Sequence, residues 1–408
     1  VRFQHVLREE APGASLEAAA ARAMAERHLA EVGFEPAALE FKEGRSEQRP
    51  ARLDHEFTWK DPARSAGEAE YLVSVAVQGD RVDAEQRRLK LPEAWERDRE
   101  RQTVLRYGLL AVKIGMLSLL IVHGLLAFYH GIRGGGLPWR RIGVAALLFA
   151  VPAILALSLE LRLAWVQYQT SMPEALFRVS LLLGFAVTAV LLVAMIVLAL
   201  GTLAACFPQA VAVTVRDARR PVAASAAWVA LAVLGAWSVL SAIKALALAA
   251  APRLFPDLPV GVPSEVATAL PGVAALGGAT TRALFTLAVA ALAAHLWQRV
   301  GRLPLRWLLA AGFVVALIPS GADASWPELA AGLAGAVAAA VVAFVLARRL
   351  LVDAPLAWVV SAALLALFTQ AVPLLRQDAA FYQANGAAVL LLGALVGGWW
   401  LFGGRRTA

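Results

Sequence analysis

Seven ionisable side chains fall inside or at the ends of long apolar stretches, and they are the residues from which this chain could build chemistry. Lys113, His123, Lys244 and Arg282 lie inside; Glu160, His295 and Asp353 lie near ends. A charge at membrane depth is expensive, so each such residue is expected to face a cavity, a partner or, by way of a long stem, the interface. A proton relay interleaves carboxylates with such cations, and these stretches contain almost none, which weakens a transporter reading. Lys113 and His123 are ten residues apart, on nearly opposite or flanking faces of a helix, and form no helical pair. Snorkelling or local pairing is expected for each lone cation. The sharpest case is LGGATTRALFTL (276–287), where Arg282 has no acidic residue within a helical turn.

Other reactive groups offer less. His28, Asp54, His55 and Glu56 have no paired spacing on one element and are expected to be solvated surface residues. Cys206 is the single cysteine, so no disulfide or thiolate metal site follows from it, and small apolar packing is its expected role. His295 is the only histidine beyond residue 130, and one imidazole cannot hold zinc alone. Nucleotide-binding glycine loops, His-Glu-x-x-His helices and nucleophile elbows are absent. Gly134 to Gly136 follow a span and precede Leu-Pro, which makes them a loop.

The elements that would position these residues are mostly membrane spans. Apolar residues make up 60% of the 408, which marks an integral membrane protein. Of the 30 acidic residues, 21 lie in residues 1–101, so a polar head of net charge −4 precedes a body of +12. The basic balance of the body reflects arginines in membrane-flanking loops and does not point to nucleic acid. Apolar windows occur at about 104–129, 142–162, 178–205, 222–250, 272–297, 328–347, 356–375 and 385–403, with a shorter one at 307–319, nine in all. Alternate loops carry Arg133, Arg140 and Arg141; Arg216, Arg219 and Arg220; Arg299, Arg302 and Arg306; Arg348 and Arg349; and Arg405 and Arg406. The positive-inside rule then puts the C-terminus in the cytoplasm and the head outside. Gly332 and Gly335, in the small-residue run 329–344, predict close helix approach.

In the head, Ser15 is expected to cap an amphipathic helix that ends at Gly33. HEFTWK (55–60) and AEYLVSVAVQGDRV (69–82) alternate as two antiparallel strands, with a turn at Gly79-Asp80. A charged helix over 91–108 leads into the first span as a stalk. The opening on Val1 suggests a missing upstream signal or span. Helix plus strands is weakly similar to PepSY-type modules.

The order of segments carries a further likeness. RPARLDHEFTWKD, YLVSVAVQGDRV and LKLPEAWERDRER before a span, LELRLAWVQYQTSMPEALF (159–177) between spans, and the last two helices (356–392) resemble the CAAX protease and bacteriocin-processing (CPBP) family of bacterial intramembrane metalloproteases. The resemblance implies a Glu-Glu-x-x-x-Arg helix, a Phe-x-x-x-His helix and a His-x-x-x-Asn or Asp helix, which hold a metal or activate water. Aligned on its Leu-Phe, TRALFT places Thr281 and Arg282 at the paired glutamates and Thr286 at the arginine. The second motif would fall in 312–326, which has no histidine. The third would fall on LAWVVSAAL, where Val359 replaces histidine and Ala363 replaces the Asn or Asp. Asp323 and Glu328 are expected outside and His295 and Asp353 near the cytoplasmic face, on the order of 30 Å apart, so they do not rebuild a site.

The expected fold is mainly α: a polytopic bundle of about nine transmembrane helices (103–408, family-like core about 222–403) behind a small extracytoplasmic α+β domain (1–102). The expected role is a non-catalytic binding or scaffold protein of the bacterial inner membrane, with no cofactor. Its expected partners are the lipid bilayer and a transmembrane substrate helix, a lipid or an envelope protein, and not nucleic acid. Two alternatives are an active endopeptidase with an unconventional site, which would need bound zinc or another divalent metal or a further reactive group, and a transporter or permease subunit.

Overall fold

The computed structural model describes residues 2–5, 7, 9–99, 104–165, 168, 172–212, 216–250, 264–318, 326–348 and 354–403. The chain divides into two compact units, Val1–Arg101 with Gln167–Ser180, and Gln102–Val166 with Leu181–Ala408.

The first unit holds strand β1 (Arg2–Gln4), helix α1 (Ala18–Glu31), strands β2 (Glu40–Arg49), β3 (Arg52–Ala66), β4 (Ala69–Gln78) and β5 (Arg81–Lys90), and the short helix α2 (Glu93–Arg99). The strands form one antiparallel sheet in the order β1-β5-β4-β3-β2. Alternation on β3 and β4 sends Phe57, Trp59, Val73, Val75 and Val77 to one face, where the Ala21, Ala25 and Leu29 stripe of α1 covers them. Trp59 sits at the centre, only 1% exposed. Sequence alternation found β3 and β4 but not β2, EFKEGRSEQR, or β5, RVDAEQRRLK, whose charged residues hide the period.

Three expectations for this unit need correction. Ser15 does not cap α1: the N-cap is Glu17, with no side-chain capping bond. The Gly13 amide donates to the Ala51 carbonyl and the Leu53 amide to that of Ala14, which holds residues 13–14 against the start of β3 and out of the helix. Gly33 does follow the helix end, with φ +90. Second, the two expected strands are part of five. Third, His55 is not a surface residue. It is buried, Nδ1 lies 2.8 Å from Ser46 Oγ and Nε2 lies 2.9 Å from the Leu16 carbonyl. His28 Nε2 meets Glu85 Oε2 at 3.1 Å, so the two imidazoles serve separate structural contacts.

Asp83 is the extra residue of a β-bulge, since Ala84 pairs with Ala76 and Val82 with Val77. Its carboxylate is buried with Oδ2 unpartnered among the described residues. Burial pushes the Asp83 carboxyl above its ordinary range, against the pull of His5 and Arg52.

The second unit is helical: α3 (Val104–Arg133), α4 (Trp139–Ala164), α5 (from Glu174 in the first unit to Cys206), the short α6 (Pro208–Ala212) and α7 (Arg216–Arg219), α8 (Ala223–Ala250), α9 (Pro271–Arg299), α10 (Leu303–Leu317), α11 (Trp326–Leu346), α12 (Pro355–Leu375) and α13 (Ala380–Phe402). Among the described residues, eight helices are long and apolar enough to cross a membrane. The ninth expected window is the 15-residue α10, short of the roughly 20 residues of a full span. The stalk helix is described only as α2, and residues 100–103 lie outside the described residues.

Burial follows composition. α9 is the most buried span, packed on α4, α12 and α13, and with a mean hydropathy of 1.4 it is also the least apolar. α5 is the most apolar, at 3.0, and the least buried. A helix that faces lipid must be apolar all round, whereas a central one can carry Gly, Thr and Arg. Where α9 meets α4, a Cβ on Gly277 would overlap the Pro152 carbonyl and the Ala156 methyl. Of the two glycines expected to allow close approach, Gly332 is buried, whereas a Cβ on Gly335 would meet open space.

Candidate functional site

The five motif positions lie on α9 and α12, the two helices at the heart of the bundle, and these helices pack on each other. The positions do not assemble a polar site. Thr281 Oγ1 donates to the carbonyls of Gly277 at 3.1 Å and Gly278 at 3.0 Å, so its hydroxyl is spent within its own helix. Arg282 and Thr286 are exposed on one stripe of α9, while Leu284, Leu287 and Ala288 turn inward. Arg282 has no hydrogen-bond or ion-pair partner among the described residues. Val359 belongs to an apolar cluster with Leu203, Leu287, Ala291, Ala362 and Trp358. Ala363 is half-buried. Asp323 and Asp353 lie outside the described residues, as does the side chain of Glu328. Of the other membrane cations, Lys113 is half-buried and Lys244 exposed.

The helices instead bring together residues that sequence spacing kept apart. His123 Nε2 on α3 and His295 Nδ1 on α9 are 3.0 Å apart, 172 positions distant in sequence, with ring centroids at 5.1 Å and planes at 33°. Cys206, the last residue of α5, places Sγ 3.6 Å from the same Nδ1. Thr202, one turn earlier on α5, donates to the Gly124 carbonyl at 3.4 Å, and a Cβ on Gly124 would press on Leu292 of α9. Gly124 and Thr202 thus let three helices converge where the imidazoles meet. His295 is not isolated, and Cys206 does more than fill space.

A legible signal for this pair existed. α3, α5 and α9 each lead into an arginine-bearing loop, and His123, Cys206 and His295 all fall in the half of their helix nearest that loop. No geometry of a three-ligand metal site is present among the described residues. Both donors address one nitrogen, His295 Nδ1, so they flank it instead of enclosing an ion.

A second polar cluster ties the other end of α9. Gln370 Nε2 on α12, largely buried, donates to Glu265 Oε1 at 3.2 Å. Asn385 Oδ1 on α13 accepts from the Gly272 amide at 3.1 Å, and the Tyr382 hydroxyl donates to the Val266 carbonyl at 3.1 Å. These bonds satisfy an α9 amide left free at the helix start and hold the turn at Ser264–Ala267, so their role is structural.

Comparison of the chain with protein-family models, with curated proteins and with solved structures gives no match.

Proposed function

We propose that this chain is a non-catalytic multi-pass protein of the bacterial inner membrane, with a CPBP-like body that acts by binding. On this reading the head lies outside and the C-terminus in the cytoplasm, which follows the positive-inside rule provided that the 15-residue α10 crosses as a ninth span; with the eight long helices alone the two ends would share a side. One observation carries it. The helices α9 and α12 that the resemblance assigns to catalysis are central and packed together, yet their motif positions present a self-bonded threonine, an exposed arginine and an apolar valine. Neither a carboxylate base nor a pair of imidazoles is available at those positions to activate water. A scaffold kept in the same fold needs the packing of α9 and α12, not their chemistry.

A substrate helix or a lipid is the ligand class such a body would hold. The test uses full-length protein in nanodiscs, titrated with a fluorescent peptide bearing a prenylated C-terminal cysteine. Saturable anisotropy with an intact peptide by mass spectrometry is expected, and cleavage products in step with binding would overturn the proposal. One observation favours the alternative of an active endopeptidase with an unconventional site: Cys206 Sγ is within hydrogen-bond reach of an imidazole nitrogen, as a nucleophile and its base would be. Cleavage abolished by Cys206→Ala would select that alternative.

A further inference from the structure

His295 Nδ1 has two neighbours, His123 Nε2 at 3.0 Å and Cys206 Sγ at 3.6 Å, and a ring nitrogen has either one lone pair or one hydrogen. It can make one full hydrogen bond at a time. We propose that His123 and His295 form an intramembrane proton-binding site that takes up a single proton, shared between the two rings and delivered next to the Cys206 thiol.

The proton count decides what the site does. With no extra proton, one ring donates N–H to the lone pair of the other, and α3 is joined to α9. With one extra proton, the same contact becomes N–H⁺···N, a charge-assisted bond of the stronger class. With two, N–H faces N–H, the bond is lost, and like charges stand 3.0 Å apart in a low-dielectric wall. The pair therefore holds one proton and resists the second. The bound proton places a cation beside the sulfur, where it favours thiolate.

The other charged and titratable groups on the elements around the pair are these. Arg299 lies one turn beyond His295 on α9. α12 contributes no ionisable residue, and near the site it offers the apolar Trp358 and Val359. α3 carries Lys113 ten residues away, and its basic residues His130 and Arg133 lie in its last turn. On α4, Arg140 and Arg141 are exposed in its first turn, and Glu160 and Arg162 lie at its other end. Arg306 of α10 is engaged with the Val300 carbonyl at 2.6 Å. Tyr382 of α13 and Glu265 belong to the cluster at the opposite end of α9. No carboxylate among the described residues is in ion-pair contact with either imidazole.

Cys206 is the chain's only cysteine and hence a built-in reporter. The rate of its alkylation by a membrane-permeant maleimide is measured against pH in full-length protein in nanodiscs. An ordinary thiol loses about tenfold in rate per pH unit on the acid side, in proportion to its thiolate. The wild type is expected to show a shoulder there, falling less than tenfold over the unit in which the pair takes its proton. His295→Gln is expected to abolish the shoulder and His123→Gln to displace it. A shoulder that survives His295→Gln, or a His123→Gln profile that superimposes on the wild type, would overturn the proposal. Should either variant fail to fold, ¹⁵N-histidine magnetic resonance of the wild type against pH decides: a through-bond coupling between two ring nitrogens that persists while both rings shift together on uptake of one proton supports the proposal, and loss of the coupling as that proton is taken up refutes it.

Discussion

Trp59→Ala should destabilise the core of the head. Trp59 is 1% exposed, lies edge-on to Phe41 with centroids at 5.9 Å, and tilts against Phe57 at 6.0 Å. Its register partner on β4 is the fully buried Val73. An indole of this kind removes roughly 150–250 Å² from water, which at about 25 cal/mol per Å² is about 4–6 kcal/mol as an upper bound. Truncations of buried aromatics cost about 3–5 kcal/mol, since the site collapses only in part. At about 1.4 kcal/mol per decade, amides of β4 that exchange through opening of the head should do so roughly 100- to 4,000-fold faster. Hydrogen exchange with mass spectrometry on the full chain in nanodiscs reads this peptide by peptide. Unchanged exchange at Leu72–Gln78 would refute the assignment of Trp59 to the core.

Three further outcomes follow. Asp83→Asn should raise the urea midpoint of the head at neutral pH. The Asp83 carboxyl is raised in the fold, so what it contributes is present below its unfolded value of about 3.9 and is lost as pH rises through the folded value. The variant's advantage should therefore vanish in acid, and an advantage that grew in acid would reverse the argument. Glu70 behaves oppositely, because the hydrogen bond from Lys60 holds its carboxyl below the usual range. Its contribution is present above its unfolded value and is lost as pH falls through the lowered one; Glu70→Gln should erase that acid-side slope in the same urea titration. Gly277→Val should destabilise the body by about 1–3 kcal/mol through collision with Pro152 and Ala156, whereas Gly335→Val, in open space, should leave the thermal aggregation midpoint in detergent unchanged.

The membrane helices were legible because about 20 apolar residues in a row have few alternatives, and the eight long helices coincide with eight of the nine windows to within a few residues. In the head, the opening VRFQHVL already reads as strand-like and contains β1, and the strands with one buried face announced themselves most clearly. β2 is almost wholly exposed along one edge, and β5 puts charged residues at most positions, so neither shows a period of two. Ser15 misled because capping propensity is local, while the bonds that hold residues 13–14 to β3 are tertiary. Gly335 misled for a related reason: small residues permit close approach without requiring it.

At the candidate sites the division is similar. That Thr281, Arg282, Thr286, Val359 and Ala363 lack carboxylates and imidazoles is a matter of residue type and can be read directly. That Arg282 is exposed while Leu284 packs inward depends on which side of α9 meets α4 and α12. That His123 and His295 sit at a similar depth could be read from the arginine-bearing loop that each helix leads into, but their contact across 172 residues depends on three helices meeting, which no local pattern encodes.

On the proposed reading, the α9 and α12 motif positions do not support metal-dependent hydrolysis. The most direct measurement is the zinc and manganese content of detergent-purified full-length protein by mass spectrometry, before and after EDTA, beside cleavage of the prenylated peptide by the same samples. Metal well below one equivalent and no cleavage in either sample are expected. One equivalent of metal that EDTA removes together with a cleavage activity would contradict that reading.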